Sequence, residues 1–311
     1  MKTTKLYTML SAVALLITGC STEDKTIDDV FDSVTRGAIL RTLETSGTGF
    51  FNAFDTATDY NVRFEAQDEK NGALLESVDA YISFLDRTTE TEDNSTAEIL
   101  DLSIPASEFT TSSNGLPEAS FSYTMSEMIT KLGLSDTDYT GGDQFIVRLV
   151  YNLTDGRSFT AEDASGNIAS GSFFRSPYAY NIDVKCIPLG PVAGDYLIEM
   201  FDSYGDGWQT TSGGGGDGIQ INIDGTIVEV GLCSPYGSAA GTFLGGAGCT
   251  DGSSAGSTTI TIPEGATSVT WNFPGDFYGE ISVNIYGPNG DLAAEIGAGT
   301  GASEIILSLC P

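Results

Sequence analysis

Asp202, Ser203, Tyr204, Gly205, Asp206, Gly207 and Trp208 set two carboxylates four residues apart on a stretch whose glycines permit sharp turns, just ahead of the glycine run at 213–216. Carboxylate oxygens that a turning backbone can gather are the ligands a hard cation such as calcium takes. No glutamate closes a twelve-residue loop, so the spacing is not that of an EF-hand, and a cage here needs more oxygens, from Asp217 or from backbone carbonyls. The expected metal ligands are therefore Asp202, Asp206 and Asp217, with calcium as the ion. A structural account stands beside this one: Asp206 and Gly207 make a turn, and Trp208 plugs the end of a fold. Around the same region Tyr204, Trp208, Tyr236 and Tyr278 lie among Gly and Asp, offering flat faces for stacking on a sugar beside carboxylates for its hydroxyls. These four are the candidate ligand contacts. Trp271 and Phe273 alternate with Val269 and are read as core.

The rest of the chain narrows what such a site could serve. Its 311 residues carry 13 Lys and Arg against 43 Asp and Glu, a formal charge of -30, which repels phosphate backbones and argues against a nucleic-acid partner. With no histidine there is no Ser/His/Asp triad and no imidazole ligand. A glycosidase needs two carboxylates across a cleft, and nothing in the sequence nominates such a pair. A non-catalytic protein is expected.

The elements that must position these residues fall into two kinds of region. Beyond Cys186 the sequence has no Lys or Arg but retains 14 Asp and Glu and 26 of the 38 glycines. Cys186, Cys233, Cys249 and Cys310 form an even set that suits two disulfides better than a metal site. Three pairings are open. Cys186 and Cys310 flank almost the whole C-terminal region, while Cys233 and Cys249 bracket a Gly/Ser/Ala-rich loop, which favours Cys186–Cys310 and Cys233–Cys249.

Ahead of Cys186, period-two alternation at Val78, Ala80, Ile82 and Phe84, along 145–153, and at Tyr180, Ile182 and Val184 predicts strands with one buried face. A serine start and Met128, Ile129 and Leu132 at helical spacing predict one helix over 126–134. Beyond Cys186 short strands are predicted at 196–201, 219–223, 226–230, 259–262, 269–273, 281–286 and 305–309, with a hairpin turn at Asp224 and Gly225. The expected fold is all-β: an immunoglobulin-like sandwich over 37–186 and a jelly-roll-like sandwich over 187–311.

Lys2 and Lys5 precede an apolar run at 6–17 that is too short to span a bilayer and ends in Ile17, Thr18, Gly19 and Cys20. Those four residues resemble the lipobox of bacterial lipoproteins. The resemblance implies a signal peptide over 1–19, a diacylglycerol on Cys20 and an acidic tether over 20–36. Ser21, Thr22, Glu23 and Asp24 resemble the short signals that carry lipoproteins of Bacteroidota to the outer face of the outer membrane. The Gly-Asp-Gly-Trp string at 205–208 is similar to a motif of surface and secreted proteins of that phylum, often beside adhesion or carbohydrate-binding modules. These resemblances imply a membrane-anchored surface protein that binds an extracellular glycan or peptide, in the neighbourhood of a starch-utilisation (SusC/SusD-like) uptake complex. The alternative expectation is an adhesion or structural module rigidified by calcium.

Overall fold

The computed structural model describes residues 36–88, 93–213, 216–236, 249–250 and 254–310. The signal peptide, Cys20 and the tether through residue 35 lie outside the described residues.

The first half contains β1 (Ile39–Gly47), β2 (Phe51–Asn52), β3 (Asp59–Gln67), β4 (Leu75–Leu85), β5 (Ile99–Pro105), β6 (Thr110–Thr111), β7 (Pro117–Thr124), β8 (Gln144–Leu153), β9 (Ser158–Phe159) and β10 (Ala179–Lys185). One sheet runs β1-β3-β7-β6 and the other β2-β10-β8-β4-β5, with β9 added to β8. This is the strand partition of an immunoglobulin-like sandwich, with β2 joining β10 in parallel. Alternation is the cause: from Val78 to Phe84 in β4 and along β8 every second side chain is buried, so each strand gives one face to the core.

Helix α1 (Met125–Leu132) begins one residue earlier than the serine start implies. Thr124, still extended at the end of β7, caps the helix in a reciprocal pairing with Glu127, and Gly133 closes it in the left-handed conformation.

The second half contains β11 (Gly194–Asp202), β12 (Ile219–Ile223), β13 (Thr226–Val230), β14 (Ala255–Ile262), β15 (Val269–Phe273), β16 (Ile281–Tyr286), β17 (Leu292–Ile296) and β18 (Ser303–Glu304). The eight strands divide four and four into a two-sheet sandwich, in the orders β14-β11-β16-β17 and β13-β12-β15-β18, all antiparallel. Asp224 and Gly225 both take positive φ and turn β12 into β13.

One expectation changes here, and one strand appears that the sequence does not announce. The segment 305–309 is not a regular strand, because its amides reach three different partners, the carbonyls of Trp271, Ala293 and Cys186, and build no continuous ladder. The strand β17 carries Ala293 and Ala294 where β-branched residues would signal a strand, and the sequence gives it no clear pattern.

Each half has its own hydrophobic cluster, one around Phe64, Tyr151 and Ile182, the other around Tyr196, Ile221 and Trp271. Both disulfides form as expected, Cys186–Cys310 across 124 residues and Cys233–Cys249 across 16. Two disulfides fit an oxidising compartment, extracellular or periplasmic. Among the described residues no helix is long and apolar enough to cross a membrane.

Candidate metal centre

The site begins where β11 runs out. Asp202, its last residue, is 3% exposed, and one carboxylate oxygen, Oδ1, accepts from the Gly205 amide at 2.6 Å, which turns the chain back on itself. Gly205 and Gly207 both have positive φ. At Gly207 a Cβ would also lie 2.0 Å from the Cys233 carbonyl oxygen, so a side chain is barred there by contact as well as by conformation.

That second turn sends Trp208 inward. Its indole is 2% exposed, packs in the core cluster and donates to the Phe201 carbonyl at 3.2 Å. Trp208 is thus the plug of the sandwich end and has no free face for a ligand, which corrects its place among the candidate contacts.

The third carboxylate comes from far along the chain. Asp202 pairs with Ile281 in the β11–β16 ladder, and the Ser203 amide donates to the Glu280 carbonyl at 2.9 Å, so the ladder sets Glu280 beside the turn. Oxygens of Asp202, Asp206 and Glu280 all lie within 4.8 Å of one another. Asp217 is not in this group; its backbone carbonyl accepts from Thr210 Oγ1 at 2.8 Å, and Glu280 stands where Asp217 is expected from the sequence.

Electrostatics single this cluster out. Burial, with the Asp206 charge added, raises the Asp202 carboxyl above its ordinary value against the pull of the turn amides. Burial and the charges of Asp202, Asp206 and Asp276 do the same to Glu280. Among the described residues, the buried side-chain oxygens and nitrogens without a hydrogen-bond partner are three: Asp202 Oδ2, Asp206 Oδ1 and Gln209 Oε1. Gln209 is 1% exposed, with its amide nitrogen 3.3 Å from Ser234 Oγ. All three oxygens belong to one short stretch of chain, and such atoms cost free energy unless something binds them.

Above the carboxylates opens a cleft of about 510 Å³ lined by Tyr204, Asp206, Gln209, Gly213, Tyr236, Tyr278 and Glu280. The three tyrosines expected as contacts are therefore gathered on one cleft with two of the three carboxylates. Tyr236 meets Asp206, whose negative charge and hydrogen bond hold the phenol's pKa up. Tyr278 packs edge-on against Phe277 with ring centroids 4.9 Å apart, and its hydroxyl would lie 2.4 Å from a Cβ on Gly213.

No protein-family model matches the chain, and no curated protein matches it. The site is therefore read from its own chemistry. That chemistry is an acidic triad able to hold a metal ion, with one more buried carbonyl oxygen nearby and no cationic side chain anywhere in this half of the sequence. Nothing local in the sequence marks Glu280 or Gln209 as part of the site. Glu280 stands 78 residues from Asp202, and only the strand pairing joins them.

Proposed function

We propose that this protein is a lipid-anchored surface protein whose second sandwich binds calcium at Asp202, Asp206 and Glu280 and uses the tyrosine-lined cleft above them to hold an extracellular ligand. The observation that carries the reading is that two of the three unpartnered buried oxygens, on Asp202 and Asp206, belong to the acidic triad, while the third, on Gln209, lines the same cleft. A hard divalent ion gives the Asp202 and Asp206 oxygens a partner and removes the mutual repulsion that, added to burial, raises Asp202 and Glu280. Three converging carboxylates with a neutral amide oxygen favour an ion over a general acid and nucleophile pair, which would use two and leave the third uncompensated. The protein acts in this reading by binding, without catalysis.

Anchoring comes from the lipid on Cys20, with the mature chain on the outer face of the outer membrane, where it serves a SusC/SusD-like uptake complex by capturing glycan or peptide. Cys20→Ser is expected to move the protein from the membrane fraction to the soluble fraction. The test of the metal centre is isothermal titration of calcium into the lipid-free mature chain, begun after Cys20 at residue 21. One ion bound by wild type and none by Asp202→Asn supports the reading. A wild-type chain that takes up no calcium removes it.

A further inference from the structure

We infer that the bound ion is itself the recognition group of the cleft, and that the ligand it takes is a neutral saccharide chelated through two neighbouring hydroxyls. This deepens the calcium reading above and rests on it.

Three features lead there. The first is the number of ligands: calcium takes six to eight oxygens. The three carboxylates and Gln209 Oε1 can supply part of that shell from the cleft floor, where Asp202 and Gln209 are almost fully buried. The remaining positions face the open volume lined by Asp206, Gln209 and Glu280, and there water or a ligand must fill them.

The second is charge. Three carboxylates around a divalent ion leave one negative charge, and the second half of the chain offers no Lys or Arg to offset it. A carboxylate or phosphate ligand would meet that charge in a partly desolvated site, where like charges repel strongly. Hydroxyl oxygens complete the shell with no added charge. A vicinal pair on a sugar ring supplies two at once.

The third is the walls. Tyr204, Tyr236 and Tyr278 are 78%, 57% and 61% exposed, unlike the tyrosines of the sandwich cores. Two of the three are already held in place. Tyr236 is tied to Asp206, and Tyr278 is braced by Phe277 over the glycine at 213, so their ring faces are offered at little cost in lost rotamer freedom. A sugar ring chelated at the floor brings its apolar face against such rings, while its outer hydroxyls stay in water.

The test uses the mature chain in native gels cast with mannan, galactan or dextran, in calcium or in EDTA, beside titration of calcium alone. Retardation in at least one gel with calcium, and none in EDTA, is the expected result. Tyr278→Ala, with its melting temperature checked to confirm folding, should weaken retention about 3- to 10-fold at saturating calcium. The neutral monosaccharide of the retarding polymer should release the protein, and its uronate should not. Calcium uptake without retardation in any gel overturns this inference and leaves the metal centre standing. Absence of calcium uptake overturns the metal centre itself. Retardation that persists in EDTA, or release by the uronate as readily as by the neutral sugar, overturns the ion-mediated recognition.

Discussion

Glu65 in the first sandwich and Asp202 in the second are both buried carboxylates, and their surroundings act on their charge in opposite directions. Glu65 accepts from Arg41, from Asn114 Nδ2 at 2.9 Å and from Ser112 Oγ at 3.0 Å. Burial pushes its carboxyl up, but these donors and the Arg41 charge outweigh burial and hold it below its ordinary value. Asp202 has one oxygen on the Gly205 amide and the other on nothing, and it lies above its ordinary value. The contrast runs through both halves. Arg63 pairs with Glu44 and Glu118, Lys131 with Asp101, Arg148 with Glu98, and Arg157 with Glu69 and Asp155, all ahead of Cys186. Beyond Cys186 no basic side chain exists to pair with anything. One sandwich carries its counter-charge in the chain, and the other leaves a place for counter-charge from solution. High negative charge by itself nominates no site; an unanswered buried oxygen does.

The largest effect should come from the restraint that serves the second half in place of ion pairs. Replacing Cys186 and Cys310 together by serine releases a closure spanning 124 residues. A loss on the order of 4 to 5 kcal/mol is expected, measured by calorimetry of the mature chain. A loss below about 1 kcal/mol would show that closure matters no more there than elsewhere.

Removing charge should then have opposite signs in the two halves. Arg41→Met strands the fully buried Glu65 and should cost about 3 kcal/mol in urea unfolding. Asp202→Asn, in chelator, removes a charge that has no partner and should be neutral or stabilising. Loss of stability in both variants in chelator would break the comparison.

Calcium should reverse the second half of that pair. At an ion concentration about 100 times the dissociation constant, wild type should gain about 2.7 kcal/mol, and Asp202→Asn should gain none. Equal gains would mean that the ion acts elsewhere on an acidic surface.

Much of this was legible in the chain. Strict alternation at Val78, Ala80, Ile82 and Phe84 marks a strand because each side chain has only two faces to choose between. The hairpin at Asp224 and Gly225 is local chemistry too, needing positive φ at both positions. Asp202 and Asp206 were legible as carboxylates that could share an ion because their turn is built from neighbours. Glu280 was not, since its place depends on the register between β11 and β16. The sequence does not tell that Trp208 is buried, because its exposure is set by the direction of the Gly207 turn, where Cys233 approaches closely. β17 was missed because two alanines carry little strand preference, and its pairing with β16 supplies what the local sequence lacks.

The smallest effect is the pH dependence, and it separates the two kinds of carboxylate most finely. A carboxyl whose folded value is raised contributes stability below its ordinary value, 3.8 for Asp202 and 4.5 for Glu280, and loses that contribution as pH rises through the raised value. A carboxyl held down, as Glu65 and Glu98 are, contributes stability above 4.5 and loses it as pH falls through the lowered value. In chelator, acidifying from neutral toward 4.5 should therefore tighten the metal centre before the first sandwich begins to weaken. Other carboxyls of the second half oppose this. Thr267 and the Ser268 amide hold Asp224 down, and at Asp276 the upward push of burial is outweighed by the amides of Gly299, Ile281 and Gly279. The informative quantity is thus the difference between wild type and the Asp202→Asn/Glu280→Gln variant, in which the gain on acidification should disappear. With calcium bound the sign reverses, because the ion requires the deprotonated carboxylates and is released as they take up protons. Calorimetry across this range, with and without calcium, should give slopes of opposite sign for the wild-type difference. Matching slopes would disconnect the raised carboxyls from the ion.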